Sequence, residues 1–309
     1  MTQFAFTLLN HNEMGQRSLE DVISIVGHQL RALGHLAVWE KANNRLVAGD
    51  CGINVIVEGF TPTTVRIMSE AHAQGARFLI LATEEPTPKG FNHGTQKEMV
   101  QRQAIFPEAA KFCEGILHLV PGEHVTKWYG QFAPAAQAEL GYAPTLVRPR
   151  DHGEPEYDFG FYGSLSRRRL KLLKELARRV GTAKAVRVVA DFKTETERDR
   201  LMRQARVLVQ IRKFDEMGLV SSSRCNTALC IGRPVVAEPH QLSKPWDEIV
   251  RFSTTAEGFF RQALLIRSAW RGVHADQFAK FKAKLSPEHC VGAALRSIGL
   301  HMDPQRLSA

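Results

Sequence analysis

Val207-Leu-Val-Gln-Ile-Arg-Lys-Phe-Asp-Glu-Met-Gly-Leu-Val-Ser-Ser-Ser-Arg-Cys-Asn-Thr-Ala-Leu-Cys-Ile-Gly-Arg-Pro-Val-Val-Ala-Glu238 is the stretch that decides the fold. It opens with the apolar run Val207 to Ile211 and closes with a second run, Pro234 to Ala237. Such runs are typical of strands that are buried on both faces of a parallel sheet. Between them, Ser221 to Ser223 are good helix-capping residues, and Gly232 follows the expected helix end. The stretch therefore predicts a strand, a long loop, a short helix and a strand.

The start of this short helix is a candidate phosphate-binding site. It offers unpaired backbone N–H groups, the positive end of the helix dipole and three serine hydroxyls. Arg224 lies just inside the helix, and Arg212 and Lys213 lie on the loop before it. Charge-assisted contacts from such residues suit a phosphate or a diphosphate. The alternative is that the serines only cap the helix and the basic residues only face solvent.

Composition limits the class of protein. The chain has 309 residues, which is enough for two domains, and its 44% apolar content can build real cores. A formal net charge of +9 favours an anionic partner, either nucleic acid, an acidic membrane surface or a phosphorylated small molecule. Nucleic acid ranks lowest, because we find no zinc-finger spacing and no platform of aromatic residues among basic ones.

The five cysteines are scattered and are odd in number, which is typical of reduced, buried thiols. The N-terminus lacks a basic leader with a cleavage site, and no apolar run approaches 18 residues. We therefore expect a cytoplasmic location, and a peripheral contact with a membrane surface stays open.

Strands and helices alternate along both halves of the chain. This order predicts an α/β protein with two mostly parallel sheets, one in residues 1–150 and one in residues 151–309. The polar segment 148–156 contains two prolines and a glycine and reads as the linker between these domains. From Ala256 onward the pattern is helical.

The second half begins with a predicted strand that leads directly into Gly163-Ser164 and the basic run Arg167 to Arg169. Gly163-Ser164 is a second candidate phosphate loop, because ligands of doubly wound sheets bind outside the carboxyl ends of the strands. A tight turn and a solvated helix start are the alternative interpretation.

The long loop Thr83 to Gly94 follows a buried strand of the first half. A loop of this length is more often functional than a simple connector. The candidates for a base that removes an acceptor proton are His11, Glu84 and Glu85, with His93 behind them. A glutamate would need its pKa raised by burial to be an efficient base at neutral pH. A purely structural role is the alternative for each of them.

The second half resembles the donor domain of a GT-B glycosyltransferase. The resemblance covers about Asp158 to Glu238, and it is carried by Tyr162-Gly-Ser-Leu-Ser-Arg-Arg-Arg169, the helix before Ala205, the basic loop after Ile211, Arg224, Ala228-Leu229 and Gly232-Arg-Pro-Val-Val-Ala-Glu238. It implies two Rossmann-like domains that face a cleft, a nucleotide-sugar donor in the C-terminal domain, and final helices that cross back to the first domain.

The same resemblance implies roles for individual residues. Gly163 and Ser164 would approach the donor phosphates, and Glu238 would lie near the nucleotide ribose. The helix that caps the diphosphate would begin at Ser221, Ser222, Ser223 and Arg224. One departure concerns stereochemistry: many retaining members have two glutamates seven residues apart, whereas here Glu216 is followed at that distance by Arg224. Retention and inversion both stay open.

These observations together predict a metal-independent glycosyltransferase without a bound cofactor. Its donor would be a nucleotide-diphosphate sugar, and Arg168 and Lys213 would help Arg224 to neutralise the leaving diphosphate. The acceptor stays open among a glycan, a lipid-linked glycan, a protein and a small molecule. A nucleotide-sugar epimerase of the same architecture and a degenerate, non-catalytic GT-B binding module are the alternatives.

Overall fold

The chain forms two compact units, one made of Met1–Ala143 and Pro287–Ala309 and the other of Pro144–Ser286. The computed structural model describes residues 2–9, 13–39, 46–47, 52–93, 97–148, 153–213, 221–238, 244–253 and 255–300. Within these ranges no helix is long and apolar enough to cross a membrane.

The first unit is a six-stranded parallel sheet with helices between the strands. Its elements are β1 (Gln3–Thr7), α1 (Glu13–Ala32), β2 (Leu36–Val38), β3 (Gly52–Val57), α2 (Pro62–Ala73), β4 (Arg77–Ala82), α3 (Lys97–Ala110), β5 (Cys113–His118), α4 (Glu123–Tyr129) and β6 (Ala135–Gln137). The strand order is β2-β1-β3-β4-β5-β6. The order reverses beside β1, as in Rossmann-like sheets.

Local signals explain where these elements begin. Every residue of β3 is buried, in agreement with its continuous apolar run. Thr61 caps α2, because its hydroxyl accepts a hydrogen bond from the N–H of Thr64 at 3.2 Å. Pro62 follows at the first helical position, where its missing N–H costs nothing.

The C-terminal segment belongs to the first unit. A π-helical turn, Glu288–Gly292, leads into α11 (Ala293–Ser297), and Ile298 then packs against β5. A Cβ atom on Gly115 would lie 2.6 Å from Cδ1 of Ile298, which is too close for any side chain. Glycine at position 115 therefore lets the last helical segment seat on the sheet.

The second unit is a five-stranded parallel sheet. Its elements are β7 (Tyr157–Tyr162), α5 (Arg167–Val180), β8 (Val186–Val189), α6 (Glu195–Arg203), β9 (Ala205–Gln210), α7 (Ser222–Cys230), β10 (Val235–Ala237), α8 (Lys244–Asp247), β11 (Arg251–Phe252), α9 (Ala256–Ser268) and α10 (Trp270–Lys284). The strand order is β11-β10-β9-β7-β8. Phe159 and Phe161 of β7 pack with α5 and α9 in one buried cluster.

Side-chain hydroxyl groups cap two helices of the second unit. The hydroxyl of Ser166 accepts a hydrogen bond from the N–H of Arg169 at 3.2 Å, which caps α5. The hydroxyl of Thr194 accepts from the N–H of Glu197 at 3.1 Å, which caps α6. Gly181 follows α5 with a φ of 72°, a conformation that glycine adopts without strain.

The division between the units differs in two places from the expected boundary at residue 150. The second unit already begins at Pro144, and Arg148 explains part of this difference. Its N–H donates to the carbonyl of Cys230 at 3.1 Å, and its Nε lies 3.5 Å from Asp199, so the start of the expected linker packs on the second unit. The chain from Pro287 onward joins the first unit, which departs from the expected second domain of 151–309 but agrees with the implied return of the final helices to the first domain.

Candidate functional site

The carboxyl ends of three neighbouring strands of the second sheet bring the predicted donor-binding residues together. Gly163 follows β7, Arg212 follows β9 and Glu238 follows β10. The starts of α5 and α7 reach the same edge of the sheet, since Arg168 of α5 contacts Glu238 and Arg224 of α7 contacts the Gly163 turn.

Arg224 lies across the turn at Gly163. A Cβ atom on Gly163 would lie 3.8 Å from both Cζ and Nε of Arg224. Space alone would allow that contact, but the φ of 121° at Gly163 is a conformation that other residues rarely adopt. Nη1 of Arg224 also lies 3.5 Å from Oε1 of the buried Gln210. The glycine turn and the guanidinium therefore form one surface.

Arg168 and Glu238 form a partly buried ion pair with two-pronged geometry. Nη1 and Nη2 of Arg168 donate to the two carboxylate oxygens of Glu238 at 2.8 and 2.6 Å. The backbone N–H of Arg212 also donates to Glu238, and Nε of Arg212 lies 3.6 Å from the same carboxylate. Only 2% of Glu238 is exposed. Glu238, which was predicted to lie near the nucleotide ribose, is thus the counter-ion of two arginines in the structure.

Arg169 holds the two neighbouring loops in place. Its Nε donates to the carbonyl of Ile211 at 2.9 Å, and its Nη1 donates to the carbonyl of Ser164 at 2.8 Å. Burial lowers the pKa of Arg169 to about 10, the charges of Arg224 and Arg168 also lower it, and Glu238 raises it. Arg169 stays protonated at neutral pH; burial is the main cause of its lowered pKa, and the neighbouring positive charges add to it.

Among the described residues, the balance of charge at the edge is positive. Arg168 and Arg212 pair with the carboxylate of Glu238, and the charge of Arg169 interacts with those of Glu238, Arg168 and Arg224. Positive groups held close together in a partly desolvated site create a potential that attracts an anion. The arrangement can therefore bind a phosphate or a diphosphate.

The serines at the start of α7 lie where the sequence predicts, but their hydrogen bonds differ from the expectation. Ser221 is the capping residue by position, yet its side chain makes no hydrogen bond to the helix backbone. Its hydroxyl instead lies 2.9 Å from the hydroxyl of Ser223, and Ser222 is the first helical residue. Lys213 is exposed, and its carbonyl accepts a hydrogen bond from Ser166 at 2.9 Å.

In the first unit, the predicted residue Glu84 is part of a buried cluster. Its Oε2 lies 2.9 Å from Nη2 of Arg102, and only 4% of Glu84 is exposed. The same nitrogen lies 3.2 Å from Oε2 of Glu58. The pKa of Glu84 is raised to about 8, mainly by burial and also by the charges of Glu58 and Glu98, whereas the charge of Arg102 lowers it. Glu84 thus has the raised pKa that an efficient carboxylate base needs near neutral pH.

Glu85 has a different environment from its neighbour. Its side chain is 26% exposed, and Oε1 lies 3.6 Å from Nε2 of His124. Its backbone N–H donates to Oδ1 of Asn92 at 2.9 Å, and the N–H of Asn92 donates back to the carbonyl of Glu85 at 2.7 Å. His11 and the side chain of His93 lie outside the described residues, as does Glu216.

Sequence reasoning missed three residues of these two clusters and gave Arg169 no role beyond the basic run after the Gly163 turn. Glu58 follows a buried strand, which is a recognisable signal, whereas Arg102 and Gln210 lie within a helix and a strand and become visible only in three dimensions. Among the described residues, no group of three or more His, Cys, Asp or Glu side chains could hold a metal ion.

We compared the sequence and the structure of the chain with those of known proteins. No protein-family model matches the sequence. No curated protein matches it either. Among solved structures, TarM has a TM-score of 0.53 at 11% identity, with 89% of this chain and 58% of TarM covered. The chain thus spans less than two thirds of the length of TarM. A structure of S. aureus TarM with bound UDP, fondaparinux and alpha-GlcNAc-glycerol matches equally well, with a TM-score of 0.53 at 12% identity.

Two further structures match over nearly their whole length. AviGT4, a glycosyltransferase involved in avilamycin A biosynthesis, has a TM-score of 0.53 at 13% identity, with 97% of this chain and 98% of AviGT4 covered. The N-terminal domain of Candida albicans trehalose-6-phosphate phosphatase has a TM-score of 0.57 at 7% identity, with 97% of both chains covered. The predicted fold class, the α/β architecture of GT-B glycosyltransferases, is confirmed.

Proposed function

We propose that the chain is a glycosyltransferase that moves a sugar from a nucleotide-diphosphate sugar to an acceptor. The observation that carries this proposal is the arginine cluster at the carboxyl edge of the second sheet, where Arg224 lies against the Gly163 turn. The GT-B fold adds support, because this edge is where the resemblance places the donor phosphates. A diphosphate matches the planar, two-pronged geometry of arginine better than it matches a single ammonium group.

In the proposed reaction, an acceptor oxygen forms a bond to the anomeric carbon of the donor sugar. The bond from that carbon to the diphosphate breaks, and its electron pair leaves with the diphosphate. Arg224 and the start of α7 stabilise the negative charge that builds up on the leaving group. Arg169 positions the Ser164 and Ile211 backbone around it through the two hydrogen bonds described above.

The acceptor proton goes to Glu84 in this proposal. The carboxyl group of Glu84 has a pKa of about 8, so its ionised form is a stronger base than an ordinary glutamate. The neighbouring Glu85 is the second candidate for this role, because more of its side chain is exposed. Turnover with Glu84→Gln and with Glu85→Gln, measured at equal donor occupancy, decides between them.

Ligand binding tests the donor assignment first. Isothermal titration calorimetry with UDP, GDP, ADP and pyrophosphate measures which nucleotide binds, and we expect a nucleoside diphosphate to bind more tightly than pyrophosphate alone. EDTA in the same titration tests the proposed independence from metal ions. Absence of binding by all four compounds, with a folded protein, contradicts the proposal. Product analysis with the selected nucleotide sugar, with and without candidate glycan acceptors, then separates transfer from epimerisation.

A further inference from the structure

Two buried glutamates lie side by side at the carboxyl edge of the first sheet. Glu58 directly follows β3, and Glu84 lies two residues beyond β4. The two strands pair in parallel, with Val57 opposite Leu81. Glu58 and Glu84 are 9% and 4% exposed, so neither carboxyl group is well solvated. Burial of an ionised carboxylate is costly unless it is paired.

Among the residues that the structure describes, a single cation serves both carboxyl groups. Nη2 of Arg102, on α3, lies 3.2 Å from Glu58 and 2.9 Å from Glu84. Arg102 is itself 8% exposed, and its Nε has no hydrogen-bond partner among the described residues. One guanidinium therefore compensates one negative charge, while two carboxyl groups lie against it. In such an arrangement one of the two carboxyl groups tends to keep its proton.

The backbone at Glu58 indicates that this contact is maintained against strain. Its φ is 52°, in the left-handed region where residues other than glycine are uncommon. Glycine would adopt this conformation without cost, and Gly59 already has a φ of 73°. Strained residues of this kind cluster at functional sites, where the surrounding contacts hold them in place.

We propose that Glu58, Arg102 and Glu84 form one proton-sharing unit, in which Glu58 is the positioning residue that sets the pH at which Glu84 loses its proton and can act as a base. This inference rests on the proposed role of Glu84 as the group that receives the acceptor proton. Within the described ranges, the other titratable or charged groups near Glu84 are Glu98 on α3 and Tyr129 on α4, whose hydroxyl donates to the Glu84 carbonyl at 2.7 Å. Burial raises the pKa of Glu58 as well, in agreement with a shared proton.

Titration of the carboxyl groups by NMR tests the inference without any substrate. The full chain is labelled with ¹³C at the glutamate side-chain carboxyl carbon, and signals are followed from about pH 4 to pH 10. In the wild type we expect one glutamate signal to titrate near pH 8, and Glu84→Gln should remove it. In Glu58→Gln the Glu84 signal should move down by about 1–3 pH units, because a like charge beside it is lost and Arg102 remains. Glu70 is an exposed glutamate that pairs with Arg66, so Glu70→Gln is the matched control and should leave the titration of the Glu84 signal unchanged.

Glu58→Gly covers the case in which Glu58→Gln fails to fold, because glycine relieves the backbone strain while removing the carboxyl group. It should produce the same downward shift. A Glu84 signal that stays near pH 8 in either folded variant overturns the inference, as does a wild type with no glutamate that titrates above about pH 6.

The dependence of activity on pH separates this inference from the proposed function. If both are correct, the rise of kcat with pH moves to lower pH in Glu58→Gln by the same interval as the NMR titration. A shifted titration with an unchanged rate profile supports the proton-sharing unit and removes Glu84 as the base. An unshifted titration overturns the proton-sharing unit, whatever the activity.

Discussion

Replacement of Arg224 by alanine is the sharpest test of the donor site. A charge-assisted hydrogen bond to phosphate is worth about 1.5–3 kcal/mol, so Arg224→Ala should weaken UDP binding by about ten- to a hundredfold or more. The fold should survive, because the positive charge of Arg224 contributes to lowering the pKa of Arg169. Removal of Arg224 relieves that repulsion and loses the contact with Gln210, so the unliganded variant should differ little from the wild type in stability.

Calorimetric titration with UDP at about 0.01 and 0.15 M salt measures the effect and its electrostatic part. Arg224→Lys should recover only part of the affinity, because an ammonium group cannot reproduce the planar fork of arginine. Arg178→Ala is the matched control: it removes the same charge from α5, where Arg178 is 72% exposed and pairs with Glu175. Equal affinity of Arg224→Ala and wild type for UDP, with clear binding in both, would refute the assignment.

Four further predictions concern stability and pH. The raised pKa of Glu84 contributes stability that is fully present below about pH 4.5 and is lost as the pH rises to about 8. The free energy of unfolding, measured in urea, should therefore fall over this range by at most about 1.4 kcal/mol per pH unit, and Glu84→Gln should flatten this slope. Gly163→Ala should cost about 1–2 kcal/mol in thermal unfolding, because alanine at a φ of 121° is strained; equal stability would contradict the strained turn. Glu238→Gln should lower the melting temperature and increase the stabilisation by pyrophosphate relative to wild type, since Arg168 loses its counter-ion; an unchanged pyrophosphate response argues against an anion site. Phe106→Ala should destabilise the first unit by about 3–5 kcal/mol in urea, because its buried ring contacts five other aromatic rings; a loss below about 1 kcal/mol would mean that the cluster repacks.

Local signals in the sequence predict the fold well. The stop at Gly232 is found in the structure as expected, because it depends on residues only a few positions apart. The buried apolar run of β9 also needs no long-range information.

Contacts between distant residues limit what the sequence can predict of the sites. Arg168 and Glu238 are 70 residues apart, so their ion pair follows from sheet order and not from local pattern. The same holds for Arg102, which reaches Glu58 across 44 residues. The pKa of Glu84 depends on these partners, so the sequence could name the residue but not its protonation. Ser221 shows the reverse case, in which a capping residue is correctly located but its hydroxyl bonds elsewhere.

The return of the C-terminal segment to the first unit has a consequence for synthesis on the ribosome. Ile298 fills the space above Gly115, so the N-terminal sheet acquires this contact only after the whole second unit has been translated. At about 5–20 residues per second, the interval between the two residues lasts roughly 10–40 s. The unit translated first is therefore completed last, and the apolar surface that Ile298 covers is open to chaperones during that time. A chain that stops after Ser286 should accordingly leave the second unit folded and the first unit prone to aggregation.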